Sequence, residues 1–158
     1  MQDVILPLTI QEVFDVFFAD DAPYFISRIV NEHGDKITDE GKWVTEFADI
    51  YKTSFGRQVS QVREVAAEFF LPPNPIVTGG IYHKFILQSE KSNTDMVFEE
   101  IAVQSGMAYA DAFQVHVKWE FRTPDPLSMQ TAFRQTFYLD WINRPWGIAS
   151  VLEGIAKS

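Results

Sequence analysis

The sequence predicts an α+β fold: a curved antiparallel sheet of about six to seven strands, two short N-terminal helices and one C-terminal helix. Long alternating segments separated by hairpin-sized spacers fill the middle of the chain. The hydrophobic period then changes from strand to helix after residue 141. Aromatic residues form 15% of the chain, including 14 Phe. A long last strand leading into an amphipathic helix is the helix-grip arrangement, in which that helix closes an apolar cavity.

The N-terminal segment predicts one strand and two helices. Val4 to Leu8 is a short apolar strand, and Thr9 with Glu12 forms a capping box at the start of the first helix. A second helix begins near Pro23, with Asp20 and Asp21 as its caps. The apolar side chains of the two helices are Ile10, Val13, Phe14, Phe17 and Phe18, then Phe25, Ile26, Ile29 and Val30.

Residues 35–71 are harder to interpret. Residues 35–40 are polar and turn-like, and Trp43 opens a strand that continues to about Phe47 or Tyr51. Residues 58–71 fit both a helical and a strand period. We favour a strand, because the flanking elements need a sheet partner.

The second half of the chain predicts a meander. Residues 71–80 hold three Pro and two Gly and form a loop. Strands follow at residues 81–89, 96–104, 111–122 and 131–141. The last strand places Thr131, Phe133, Gln135, Phe137, Leu139 and Trp141 on one face, and the closing helix carries Ile148, Val151, Leu152 and Ile155.

Composition excludes several classes of function. The chain of 158 residues fits one domain covering 1–158, and its net charge of −9 argues against nucleic acid as a partner. Zero cysteines exclude disulfides and thiol catalysis. No apolar run is long enough to span a membrane, and the N-terminus has no signal pattern. A membrane anchor, if the protein has one, is expected outside these residues.

Catalytic and metal motifs are missing from the sequence. His33 lies in an acidic stretch with no metal-loop spacing, and His116 shares the polar face of a strand with Lys118 and Glu120. His83 is either a core histidine with a satisfied hydrogen bond or a polar group in the cavity. Glu99 and Glu100 are adjacent on a strand, so they point to opposite faces. We therefore expect no enzyme, no cofactor and no metal. A small cup-shaped enzyme and a protein-interaction module that uses a sheet edge stay open as alternatives.

Five tracts, in this order, resemble the VASt domain (StART-like) of the Lam and Aster sterol transporters. They are EVFDVFFADDAPYFISRI, GKWVTEF, PPNPIVTGG, EEIAVQSGMAYADAFQVHVKWEF and RPWGIASVLEGIAKS. Ala108-Tyr109 replaces the family's usual Pro-Tyr, so only the tyrosine carries over. The resemblance implies a helix-grip fold around a sterol-sized cavity, without a cofactor or catalysis. It also implies a monomeric domain of a larger membrane-anchored protein, which faces the cytosol at endoplasmic-reticulum contact sites and touches membranes transiently.

The predicted site is an apolar cavity for a sterol or a similar lipid with one polar end. Its candidate lining is Phe85, Phe98, Phe113, Gln114, Val115, Val117, Trp119, Phe133, Gln135, Phe137, Trp141, Ile148 and Leu152. Candidate partners for the polar end are Gln114, Gln135, Ser60 and Gln61. The candidate lid is a loop stiffened by proline at its start and hinged by glycine at its end: Pro72, Pro73, Asn74, Pro75, Ile76, Val77, Gly79 and Gly80.

Overall fold

A computed structural model describes residues 4–29, 36–46, 48, 56–70, 79–105 and 113–141. Its centre is a curved antiparallel sheet of seven strands in the order β1-β7-β6-β5-β4-β3-β2. The strands are β1 (Val4–Leu6), β2 (Lys36–Asp39), β3 (Gln61–Phe70), β4 (Gly79–Lys91), β5 (Asp95–Ser105), β6 (Phe113–Arg122) and β7 (Thr131–Trp141). The helices are α1 (Ile10–Phe17) and α2 (Ile26–Ile29), and a 3-10 turn spans Pro126–Ser128. The predicted meander of β3 to β7 is therefore confirmed.

Residues 58–71, whose period was ambiguous, do form a strand. β3 pairs along its whole length with β4, from Gln61 opposite Gln88 to Phe70 opposite Gly79. Val62, Val65 and Ala67 are buried while Glu64 and Glu68 are exposed. Burial on both faces explains the weak alternation of the sequence.

Two expectations in the first third of the chain are wrong. Residues 36–39, predicted as a turn, form edge strand β2, which pairs with β3 through a bulge between Ile37 and Asp39. The strand predicted from Trp43 to about Phe47 or Tyr51 does not form over residues 43–46, which make one isolated bridge, between Val44 and Val62; residues 47 and 49–51 lie outside the described residues. β2 lies beside residues 66–68 of β3, and Val44 bonds to Val62 further along the same edge.

Helix α1 begins as the sequence predicts. The Thr9 hydroxyl accepts a hydrogen bond from the Glu12 backbone N–H, and the Glu12 carboxylate accepts one from the Thr9 N–H. α2 begins at Ile26, three residues later than expected near Pro23. Asp20 lies six residues before that start and so is not its N-cap; its carboxylate instead accepts a hydrogen bond from the Trp43 N–H at 2.8 Å.

The inner face is the side of the sheet against which α1 and α2 pack. Val13, Phe18 and Phe25 from the helical region are almost completely buried there. They form one apolar cluster with the sheet residues Val65, Ile86, Met96, Phe98, Trp119 and Phe121. The ring of Phe18 stacks on Phe98 with centroids 4.1 Å apart. The helices therefore cover one end of the sheet with a filled aromatic core.

Arg63 fastens the end of α1 to the sheet. Its guanidinium donates to the carbonyls of Phe18, Ala19 and Glu40, each at 3.0 Å, and lies 3.7 Å above the ring of Phe25. The Phe18 and Ala19 carbonyls follow the last turn of the helix, where backbone acceptors lack partners within the helix, and the Glu40 carbonyl follows β2. Burial lowers the pKa of Arg63 from its usual value, and the carboxylates of Asp20 and Glu40 oppose that shift.

The Gly41-x-Trp43 motif makes a second connection between α1 and the sheet. Gly41 has φ +61°, and a Cβ at this position would collide with the Glu64 carbonyl. The Trp43 indole N–H donates to the Phe18 carbonyl at 2.6 Å, and its ring stacks on Phe98 at 5.7 Å. The glycine allows the chain to pass close to β3, and the tryptophan then reaches the aromatic core.

Candidate functional site on the inner face

The structure brings most of the predicted cavity residues together on the inner face. Cross-strand pairs such as Val117 with Phe137 and Trp119 with Gln135 fix their common orientation, since paired residues project to the same side of a sheet. The inner-face members of the predicted set are Phe98, Phe113, Val115, Val117, Trp119, Phe133, Gln135, Phe137 and Trp141. A single face of β5, β6 and β7 therefore carries the candidate site.

Four of these residues, Phe98, Val117, Trp119 and Phe133, belong to the filled core under α1 or pack against it. Phe98 is fully buried and Trp119 is 5% exposed. Trp119 stacks on Phe133 with ring centroids 5.6 Å apart. Because their neighbours are the side chains of the helical region, these rings stabilise the fold, and part of the aromatic surplus is explained by ordinary core packing.

Beyond that core, the inner face continues towards the other ends of the strands. Phe137 is 37% exposed, and Val115 and Leu139 are half-buried. Phe113 and Trp141 face each other across the β6–β7 ladder with ring centroids 5.4 Å apart. Val115, Leu139, Phe113 and Trp141 are not part of the cluster under the helices. We call this region the distal inner face.

Two predicted lining residues are corrected by the register. Phe85 pairs with Glu64 and Ile101, and Gln114 pairs with Asp140, which places both on the outer face, opposite α1 and α2. Phe85 packs there against the cluster of Ala48, Val59, Val62 and Leu87. Neither residue can line a pocket on the inner face. The sequence could not show this, because Phe85 lies on a strand with apolar residues on both faces.

Other expectations fall partly or wholly outside the described residues. Ile148 and Leu152 of the predicted C-terminal helix lie there, as do Pro72, Pro73, Asn74, Pro75, Ile76 and Val77 of the predicted lid. Gly79 and Gly80 are described and begin β4, where they pair with Phe70 and Phe69. The strand thus starts two residues before the expected position, and the predicted glycine hinge lies within a ladder.

Two of the candidate polar partners are already engaged. The Ser60 hydroxyl donates to the Gln88 carbonyl at 3.0 Å. The Gln61 side-chain amide donates to the Gln88 side-chain oxygen at 2.6 Å. Both bonds join β4 to β3 or the residues just before it, so they stabilise the sheet. Gln135 is the candidate that remains on the inner face, beside Trp119.

Sequence reasoning missed an ion pair on the inner face. Lys84 on β4 and Glu100 on β5 meet with Nζ and Oε1 3.2 Å apart, and their side chains are only 17% and 8% exposed. The Lys84 ammonium also lies 4.9 Å from the centre of the Tyr82 ring. The two residues are not directly opposite, since Lys84 pairs with Ala102 and Glu100 with Ile86. Only the register of the two strands could reveal their contact.

The outer face carries a separate polar cluster. His116 is buried, and its Nδ1 lies 3.0 Å from the Glu99 carboxylate, which also accepts a hydrogen bond from the Tyr138 hydroxyl at 3.3 Å. Glu99 and Glu100 do project to opposite faces, as the sequence predicts. His83 is neither a core nor a cavity residue: its side chain is 45% exposed on the outer face and lies 2.9 Å from Glu64.

An open groove of about 430 Å³ crosses the outer face beside β3 and β4. Val44, Val62 and Phe85 supply apolar side chains, while Asp39, Glu46, Glu64, Lys42 and His83 supply charged or polar ones. Its lining is too polar and too open for a lipid body, which needs a mostly apolar enclosure. Within the described residues, no three His, Asp or Glu side chains converge to hold a metal ion. No helix in the described part of the chain has the length and apolarity to cross a membrane.

The arrangement is an antiparallel sheet whose inner face is packed with rings near α1 and carries apolar side chains with one buried ion pair further along. The comparison with curated protein sequences finds no significant match. The sequence model of one family, the VASt domain (VAD1 Analog of StAR-related lipid transfer domain), matches residues 1–158. That match confirms the resemblance noted from the sequence tracts. The chain belongs to the VASt family of StART-like lipid-binding domains.

Proposed function

We propose that this domain binds a sterol, or a similarly flat and rigid lipid, on the distal inner face and carries it between membranes without catalysing a reaction. The observation that supports this most directly is the continuation of apolar side chains past the filled core. Phe137 exposes 37% of its surface although it lies on the same face as the buried Trp119. Burial of a rigid lipid body there gains about 25 cal/mol per Å², with little loss of ligand entropy.

The alternative, recruitment of a partner chain by a sheet edge, finds less support. β2 is an edge of only four residues that carries Lys36 and Asp39 and a bulge. β1, at the other edge, has three residues. Short, charged and bulged edges are the features that prevent pairing with another strand.

The experiment is titration of the chain with dehydroergosterol, a fluorescent sterol with a free 3-hydroxyl group. A matched pair of variants locates the site: Phe137→Arg introduces a charge on the inner face, and Thr136→Arg introduces the same charge one residue away on the outer face. Both positions are exposed, so both variants should fold. We expect Phe137→Arg to weaken binding at least about ten-fold, since a charge in an apolar site must be desolvated, and Thr136→Arg to leave it unchanged.

Transfer is tested separately with donor and acceptor vesicles. Wild-type protein should increase the rate of dehydroergosterol exchange, and Phe137→Arg should not. If Phe137→Arg and Thr136→Arg affect binding equally, the ligand does not bind on the distal inner face. No saturable binding by the wild type would overturn the sterol proposal and leave the interaction module as the better explanation.

The wider setting follows the resemblance to the Lam and Aster VASt domains. In this proposal residues 1–158 act as one monomeric domain of a larger membrane-anchored protein. It faces the cytosol at endoplasmic-reticulum contact sites and touches membranes only during lipid exchange.

A further inference from the structure

The side-chain oxygen of Gln104 is buried and has no hydrogen-bond partner among the described residues. An amide oxygen in this position costs free energy that a hydrogen-bond donor would recover. Gln104 is the tenth residue of β5, paired with Tyr82 of β4, and therefore projects to the inner face. The hydrogen bonding of the sheet does not require a buried side-chain acceptor at this position.

The surroundings of Gln104 differ from those of the filled core. Its diagonal neighbour across the strands is Lys84, which is held by Glu100. Among the described residues, the pairing of β5 with β6 extends as far as Ala102, two residues before Gln104. Phe98, the last β5 residue in the aromatic core, is six positions away, or roughly 20 Å along the strand. The orphan oxygen thus lies on the distal inner face, well separated from the core.

The charged side chains next to Gln104 are paired with each other and are not needed to bind a hydroxyl. The Lys84 ammonium and the Glu100 carboxylate are 3.2 Å apart and satisfy each other. An anionic or cationic lipid headgroup would have to break this pair, whereas a hydroxyl needs only one acceptor. The local chemistry therefore favours a neutral ligand whose polar end donates a hydrogen bond.

We propose that the Gln104 side-chain oxygen accepts a hydrogen bond from the hydroxyl of the bound lipid. This inference rests on the proposed function and deepens it by naming the polar partner and the orientation. The hydroxyl lies at the Gln104 end of β5, and the apolar body extends towards Val117 and the aromatic core. The inference also predicts a specificity: a lipid with a free hydroxyl binds better than its ester. The ester has no donor and therefore leaves the Gln104 side-chain oxygen buried and unpaired.

The test compares dehydroergosterol with dehydroergosteryl acetate on the wild type and three variants. Gln104→Leu removes the acceptor at similar volume, Gln104→Glu keeps an acceptor, and Gln135→Leu removes the other inner-face amide. We expect the wild type to prefer the free sterol about ten-fold, in line with one buried hydrogen bond. Gln104→Leu should lose that preference while it still binds the acetate, which also shows that it is folded. Gln104→Glu and Gln135→Leu should retain the preference.

The outcomes separate the two proposals. If the wild type binds neither sterol, the proposed function fails and this inference fails with it. If the wild type binds both sterols equally, or if Gln104→Leu keeps the preference, sterol binding stands and the role of Gln104 is wrong. Loss of the preference in Gln135→Leu alone would assign the hydroxyl to Gln135 instead.

Discussion

Removal of one member of the Lys84–Glu100 pair should destabilise the fold strongly. Lys84→Met leaves the Glu100 carboxylate, whose side chain is 8% exposed, without its cation. Breaking a buried pair from one side typically costs about 3–5 kcal/mol. Lys84 is itself 17% exposed, so some water reaches the pair, and we expect about 2–4 kcal/mol. Glu100→Met should cost less, about 1–2 kcal/mol, because the longer lysine chain can turn its ammonium towards solvent.

The double variant Lys84→Met, Glu100→Met should recover most of that loss. Two methionines of similar length fill the space without a buried charge, and such replacements are often neutral or stabilising. We therefore expect a net loss of at most about 1 kcal/mol and a coupling energy of about 2–6 kcal/mol between the two positions. For a chain of this size, each kcal/mol corresponds to a change in Tm of roughly 2–4 °C.

Urea unfolding followed by far-UV circular dichroism measures the free energies of the four proteins. The matched control is the same cycle on Arg57 and Glu90, which are 3.0 Å apart but 55% and 38% exposed. Exposed pairs contribute about 0–1 kcal/mol, so their cycle should show little coupling. If the two single losses at Lys84 and Glu100 simply add in the double variant, or if the coupling energy of this pair equals that of Arg57 and Glu90, the buried pair does not stabilise the fold in the expected way.

Three further predictions concern the attachment of α1 to the sheet. Arg63→Met should lower the free energy of unfolding by about 3–5 kcal/mol, because it leaves the carbonyls of Phe18, Ala19 and Glu40 without their shared donor. The control is Arg122→Met, which changes an exposed arginine and should cost under about 1 kcal/mol in the same urea titration. Gly41→Ala should lower Tm much more than Gly56→Ala. Both glycines have positive φ, but only the Cβ at Gly41 meets backbone, so equal shifts would contradict the packing argument. Thr9→Ala should cost about 1 kcal/mol through loss of the capping box, whereas Thr9→Ser should be nearly neutral; a large loss in the serine variant would indicate that the methyl group matters instead.

The order of elements could be predicted from the sequence because local signals agreed with the final contacts. The Thr9–Glu12 capping box is a purely local interaction, and it forms as predicted. In β6 and β7, alternation places residues such as Val117 and Phe137 on one face, and the ladder keeps them there. Where one face of a strand is apolar and the other polar, the period-2 pattern of the sequence already shows which residues the register places on the buried face.

The errors share a different physical cause. Residues 36–39 look like a turn because an edge strand needs no apolar residues, and their identity as β2 depends on β3, which lies more than twenty residues later. Phe85 lies on the outer face and not in the expected lining, which the sequence does not show because β4 carries apolar residues on both sides. The Lys84–Glu100 contact depends on the register between β4 and β5. Each of these features is set by pairing between distant segments, which a single sequence does not encode locally.

Along β5, the inner face divides into a part that stabilises the fold and a part suited to a ligand. Met96 and Phe98 are completely buried among rings from α1, β6 and β7. Two residues after Phe98 the same face presents the Glu100 carboxylate, and four residues further the orphan oxygen of Gln104. Polar groups gain nothing in a filled apolar core, since each costs desolvation, but a lipid site needs a few of them to orient its ligand. Substitutions at Phe98 should therefore act mainly on stability, and substitutions near Gln104 mainly on which lipid binds.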